Sequence, residues 1–151
     1  MPALRQAGQA RVARQDEGND LMRRATYPLI KLEDRSDDGR MVWSVYIDPR
    51  NFPLPVERAL DDPLRDQLNA GMIEAVVVRD GWVIGEGSLH DDLAMSIFQG
   101  EASLYVEADT IGGRRDVTSL SPLMIDLHDV VLHHATLGQS TLWDGCEVTL
   151  G

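Results

Sequence analysis

The chain has 151 residues, of which 43% are hydrophobic and 26% charged, and its formal net charge is −11. That length fits one domain with a core of its own, held without metal or disulfide, and the composition is that of a folded chain rather than a disordered polymer. The negative balance excludes nucleic acid as the partner of the body, because phosphate would be repelled.

The charge is unevenly placed along the chain. Residues 1–24 hold five arginines (Arg5, Arg11, Arg14, Arg23, Arg24) against three acids, and the other residues hold nine bases against twenty-two acids. We read residues 1–25 as a basic N-terminal arm and residues 26–151 as an acidic β-rich domain. Leu4, Val12, Leu21 and Met22 are too sparse for a self-supporting amphipathic helix. The arm is therefore expected to order only against a partner, and opposite charges on two parts of one chain favour contact between copies. Thirteen of the fourteen cations are arginine. A GC-rich coding bias gives that, and so does a need for guanidinium forks on carboxylates. The first residues contain no apolar run of signal-peptide length. No stretch reaches the roughly 18 apolar residues that span a bilayer. Cys146 is the one cysteine, so no intrachain disulfide can form. A reducing, cytoplasmic setting is the matching expectation.

Beyond the arm the pattern is mostly that of strands. Asp38-Gly39, Asp80-Gly81 and Asp144-Gly145 each lie between apolar or β-branched runs, as two-residue hairpin turns do. They predict three hairpins: Tyr27–Leu32 with Met41–Ile47, Met72–Val78 with Trp82–Ile84, and Thr141–Trp143 with Cys146–Leu150. In the first, Met41, Trp43, Val45 and Ile47 share a face. All three tryptophans sit close to these turns, as cross-strand packing or as an aromatic shelf for a ligand. Asn51-Phe52-Pro53-Leu54-Pro55 reads as an extended connector. Asp62-Pro63, Leu64, Leu68 and the stop at Gly71 predict a short helix over Pro63–Ala70. Glu101–Asp109 alternates as a strand, and 111–115 is a loop. Residues 122–134 satisfy both periods. Ser121-Pro122 favours helix, and the β-branched cluster in the middle tips the reading to strand. The predicted fold class is mainly β, a small antiparallel β-barrel or sandwich with one short helix and the N-terminal arm.

No chemistry-bearing motif in the sequence is complete. His90, His128, His133 and His134 lack a His-Glu-x-x-His pattern, and adjacent histidines in a strand point to opposite faces. Ser88 is outside a nucleophile elbow and Cys146 has no histidine near it in sequence. Gly85-x-Gly87 lacks the rest of a dinucleotide fingerprint. Gly112-Gly113-Arg114-Arg115 offers either an anion nest or a loop whose arginines meet a neighbour's carboxylates. The acidic doublets Asp37-Asp38, Asp61-Asp62 and Asp91-Asp92 read as solvated charge. No catalytic, cofactor or metal residue is assigned. The partner-binding candidates are Arg5, Arg11, Arg14, Arg23, Arg24, Arg114 and Arg115.

Residues 83–109, VIGEGSLHDDLAMSIFQGEASLYVEAD, together with 143–151, resemble the body of lambda-type head–tail joining proteins of tailed bacteriophages. Residues 74–89, EAVVVRDGWVIGEGSL, with Pro122-Leu-Met-Ile-Asp126, resemble phage capsid decoration proteins. Both resemblances imply a small β fold with an arm, used for assembly rather than chemistry. The expectation is a non-enzymatic structural subunit of a phage-like virion, at the head–tail neck or the capsid surface. It would be assembled in a bacterial cytoplasm and bind copies of itself and other virion proteins. Two alternatives remain from the residues: an acidic immunity or inhibitor protein on a basic enzyme, and a metal-dependent enzyme using the histidines.

Overall fold

A computed structural model of the chain describes residues 22–58, 69–138 and 141–151. Arg5, Arg11 and Arg14, the first 21 residues of the expected arm, and most of the helix expected over Pro63–Ala70 lie outside them. The described residues are mainly β. In chain order they form β1 (Met22–Lys31), β2 (Arg40–Val42), β3 (Val45–Tyr46), a 3-10 turn (Pro49–Asn51), β4 (Leu54–Arg58), β5 (Asn69–Arg79), β6 (Trp82–His90), α1 (Asp91–Phe98), β7 (Tyr105–Ile111), β8 (Arg114–Leu120), β9 (Leu123–His128), β10 (Val130–Gly138) and β11 (Thr149–Leu150).

The strands make two sheets. The larger runs β11-β1-β6-β5-β4-β10-β3, with β7 also on β10, and the smaller runs β2-β9-β8. Both are mixed. β9 is parallel to β2, and β10 is parallel to β3 and β4. The expected antiparallel barrel or sandwich is therefore corrected in part: three pairings are parallel, and among the described residues the strand path does not close on itself. One hydrophobic cluster serves both sheets, with Tyr27, Leu54, Ile73, Val83 and Leu132 from the larger and Val42 and Leu127 from the smaller.

The middle hairpin is as expected. Arg79 pairs with Trp82 across Asp80-Gly81, whose φ values of 54° and 81° are those of the mirror-image turn that suits twisted strands. The other two are not. β1 takes β6 as its partner, and the turn at Asp38-Gly39 closes through backbone bonds from Ser36 to Arg40 and from Glu33 to Val42, while β2 joins β9. Within Met41–Ile47 the buried side chain is Val42, while Trp43 and Ile47 are exposed. At Asp144-Gly145 the chain turns, but Cys146 and Val148 bond the backbone of Val106 and Leu104, and β11 pairs with β1. Trp143 explains this. Its ring is buried and its Nε1 donates to the Asp34 carbonyl at 2.9 Å, so residues 141–143 pack in the core instead of pairing with 146–150.

Two further boundaries move. Asn69 and Ala70 already belong to β5, so the segment expected as the end of a helix is strand. Residues 91–98, given no helix from sequence, form α1. His90 caps it, its Nδ1 accepting from the Asp92 backbone N–H at 3.3 Å, and Asp91 and Asp92 fill the first turn. Gly100, at φ 74°, ends it, with bonds from Gly100 to the Ile97 carbonyl and from Glu101 to the Ser96 carbonyl. The run 122–134, expected as strand, is strand from Leu123 to His128 and again from Val130, broken at Asp129.

Candidate interaction surface

The most distinctive local structure is one long bent hairpin. Arg114–Leu120 pairs antiparallel with Leu123–His128, and Tyr105–Ile111 pairs antiparallel with Val130–Gly138. The two stretches are consecutive. Gly112 and Gly113 on one side (φ 70° and 76°) face Asp129 on the other (φ 56°), and there the ribbon passes from the larger sheet to the smaller. Left-handed backbone at three facing positions bends both strands together. A Cβ on Gly113 would lie 2.3 Å from the His128 carbonyl oxygen, so the bend also needs glycine for closeness. Gly112-Gly113 is thus a corner between sheets.

The outer half of this ribbon ends in an apolar tip. Val117 is 53% exposed, Leu120 81% and Leu123 48%, and Ile111 is exposed at the bend. Among the described residues β8 is an edge strand, paired only with β9. A slip in register opposite Met124 and Ile125 leaves Thr118 as an extra residue, its hydroxyl donating to the Met124 carbonyl at 3.4 Å. Such a bulge twists an edge and limits indiscriminate pairing.

A polar face lies at the base of the same half. Arg114 pairs with Asp116 at 3.2 Å, and His128 lies 3.6 Å from the same carboxylate. The Trp43 ring stacks parallel on His128 with centroids 6.2 Å apart, and its Nε1 donates to Asp126 at 3.2 Å. Arg35 reaches Asp126 at 2.9 Å and the Gly39 carbonyl at 3.1 Å, tying the Ser36–Arg40 turn to β9. Desolvation pushes the Asp126 carboxyl upward, yet hydrogen bonds from Arg35 and Trp43 with the Arg35 charge outweigh it and hold the group below the ordinary carboxylate value. Asp38 is lowered too: burial raises it, and Arg40 and Ser36 more than reverse that. A carboxyl depressed on folding stabilises the protein above its unfolded value, near 3.9, and that contribution is lost as pH falls through the folded value. In urea melts between pH 6 and 2.5, the midpoint of wild type is therefore expected to fall more steeply below about pH 4 than that of Asp126→Asn. Parallel profiles would show that Asp126 carries no such linkage.

The arginines named from sequence separate into three groups. Arg23 and Arg24 lie in β1, inside the stretch read as arm, and pair with Asp91 at 2.6 Å and Glu74 at 2.8 Å of the same chain. Arg114 and Arg115 stand on β8 of the other sheet, where Arg115 is exposed. Arg5, Arg11 and Arg14 lie outside the described residues. Among the described residues, Arg23 and Arg24 therefore lie apart from Arg114 and Arg115. Sequence reading missed Val117, Leu120 and Leu123. The signal was present as apolar residues flanking Ser121-Pro122, but an ambiguous helix-or-strand run hides a hairpin tip.

The residues weighed for chemistry take other places. His90 caps α1. Cys146 is buried beside Thr141. Gly85 and Gly87 face inward, and a Cβ at Gly87 would lie 2.0 Å from the Met72 carbonyl oxygen, so close strand packing demands those glycines. A register slip between Leu132 and His134 brings the rings of His133 and His134 edge to face at 4.9 Å, against the expectation that adjacent strand histidines point apart. His134 lies 3.0 Å from Asp109, which also accepts from Thr136 at 2.7 Å. Among the described residues no group of three histidine, cysteine or carboxylate side chains is arranged to hold a metal ion, and no helix is long and apolar enough to cross a membrane. No known protein family, curated protein or solved structure matches this chain.

Proposed function

We propose that the protein is a non-enzymatic structural subunit that assembles with copies of itself and with other proteins of a phage-like particle, at its neck or capsid surface. The observation that carries this reading is the bent hairpin. Its inner half is locked into the core by β10, and its outer half offers Val117 and Leu120 on the edge strand β8, with Leu123 opposite on β9, to solvent. Exposed apolar side chains grouped on a protruding element favour a protein partner, and free edge groups favour a strand or loop as the contacting element. The acidic doublets and the cationic first residues add long-range attraction between opposite parts of successive copies. The two phage resemblances of the sequence point the same way.

The test is solution size. The full chain is expected to form a closed ring or larger assembly at micromolar concentration, measured by light scattering and analytical ultracentrifugation at low and moderate salt. A chain lacking residues 1–21, folded as judged by circular dichroism, is expected to associate more weakly and with less dependence on salt. A full chain that stays monomeric throughout would overturn the proposal. A stable one-to-one complex with a basic nuclease would favour the inhibitor alternative.

A further inference from the structure

Helix α1 is apolar on more than one side. Leu93, Ala94, Met95, Ile97 and Phe98 make up most of its eight residues, yet only Ala94 is buried. Phe98 leaves 75% of its surface in solvent. Apolar residues around most of a helix belong inside a larger body. Beside α1 lies an open groove of about 240 Å³, lined by Ala94, Met95, Phe98, Leu150 and Arg23. Met22 and Leu150, also exposed, extend the apolar surface along β1 and β11. Asp91 and Asp92 stand in the first turn of α1, and Asp91 pairs with the groove residue Arg23 at 2.6 Å.

Residues 1–21 join the described chain at Met22, which pairs with His90 just before α1. Their charge is split. Residues 1–15 hold Arg5, Arg11 and Arg14 and no acid, and residues 16–21 hold Asp16, Glu17 and Asp20 and no base. We propose that the groove beside α1 receives residues 1–15 of a second copy of this chain. This rests on the assembly reading above and names the contact that makes it directional.

The charge pattern selects the occupant. The first turn of α1 holds two carboxylates against one guanidinium, that of Arg23, so it favours a cationic segment. Leu4 and Val12 supply apolar side chains for the cavity, and Arg5, Arg11 and Arg14 suit Asp92, whose side chain is largely exposed beside it. Fully extended, 21 residues span up to about 70 Å, enough to reach an adjacent subunit. Each copy then gives its leading residues to one neighbour and its groove to the other. That head-to-tail contact produces a ring if the rotation closes.

The experiment uses two differently tagged full-length copies, Val12→Cys in one and Gln99→Cys in the other, joined by a short bismaleimide. A cross-linked species carrying both tags is expected. It is lost when Phe98→Asp is added to the groove copy and retained with Phe98→Leu. Phe98→Asp alone is expected to weaken self-association by about tenfold or more, and reversing Arg5, Arg11 and Arg14 to glutamate does the same. A cross-link formed within one chain carrying both cysteines, at dilutions where copies do not meet, would overturn the proposal. Unchanged association of Phe98→Asp alongside weakened association of the arginine reversal sinks the groove and leaves arm-driven assembly standing. Unchanged association of both variants removes the groove and the arm together.

Discussion

Aspartate at both Val117 and Leu120 is expected to weaken self-association by about a hundredfold or more without unfolding the chain. Both side chains are largely in solvent, so the substitutions open no void and bury no charge in the isolated subunit. In an assembled particle they would be covered, and a carboxylate pressed into an apolar contact has no partner and sheds water at a cost of several kcal/mol. Leu120 and Leu123 pair with one another beyond the stretch of β9 that pairs with β2, and Ile125 is the cross-strand neighbour of Val117. Urea melts of the double variant should therefore overlay those of wild type, while sedimentation shows the smaller species. Wild-type size in the double variant would show that the tip touches nothing that matters for assembly.

Gly87→Ala is expected to cost about 3 kcal/mol or more. Gly87 sits in β6, flanked by β1 and β5 and paired with Ala25 and Ile73. The added Cβ would stand 2.0 Å from the Met72 carbonyl oxygen and 2.8 Å from the Ile73 Cα. Those are backbone atoms of the adjacent strand and cannot rotate away. β5 must shift, and Ile73, which is fully buried, shifts with it. Gly138→Ala is the matched control. A Cβ there meets nothing within 4 Å, so a change within about 0.5 kcal/mol is expected. Chemical denaturation of the two variants beside wild type reads the difference, and equal midpoints would refute the packing argument.

The parts of the fold legible in the sequence are those decided over a few neighbouring residues. The Asp80-Gly81 hairpin is one, because the turn and both flanking runs specify one another locally. The strand nature of residues 122–134 is another. The parallel pairings of β2, β3 and β4 were not legible, since nothing at Arg40–Val42 marks Ile125–Leu127 as its partner. α1 was legible and overlooked. An acidic doublet, apolar residues at 93, 94, 97 and 98, and Gly100 beyond the end form a start, a face and a stop. The same local reasoning that marked Arg114 and Arg115 as exposed could not see the apolar tip beyond them. A tip is defined by what the opposite strand leaves uncovered, and that depends on the bend at Gly112-Gly113 and Asp129.

The parallel pairings also fix an order of events during synthesis. β2, β3 and β4 leave the ribosome early, yet their partners on β9 and β10 lie toward the other end of the chain. β5 and β6 can zip up at once around their tight turn. Leu54 and Val56 of β4 can pair with β5 as soon as it emerges, but residues 40–46 must wait for β9 and β10 until nearly the whole polypeptide has emerged. Contacts between such distant segments slow folding, and the waiting strands are where a nascent chain of this protein is most open to capture by a chaperone or by another unfinished copy.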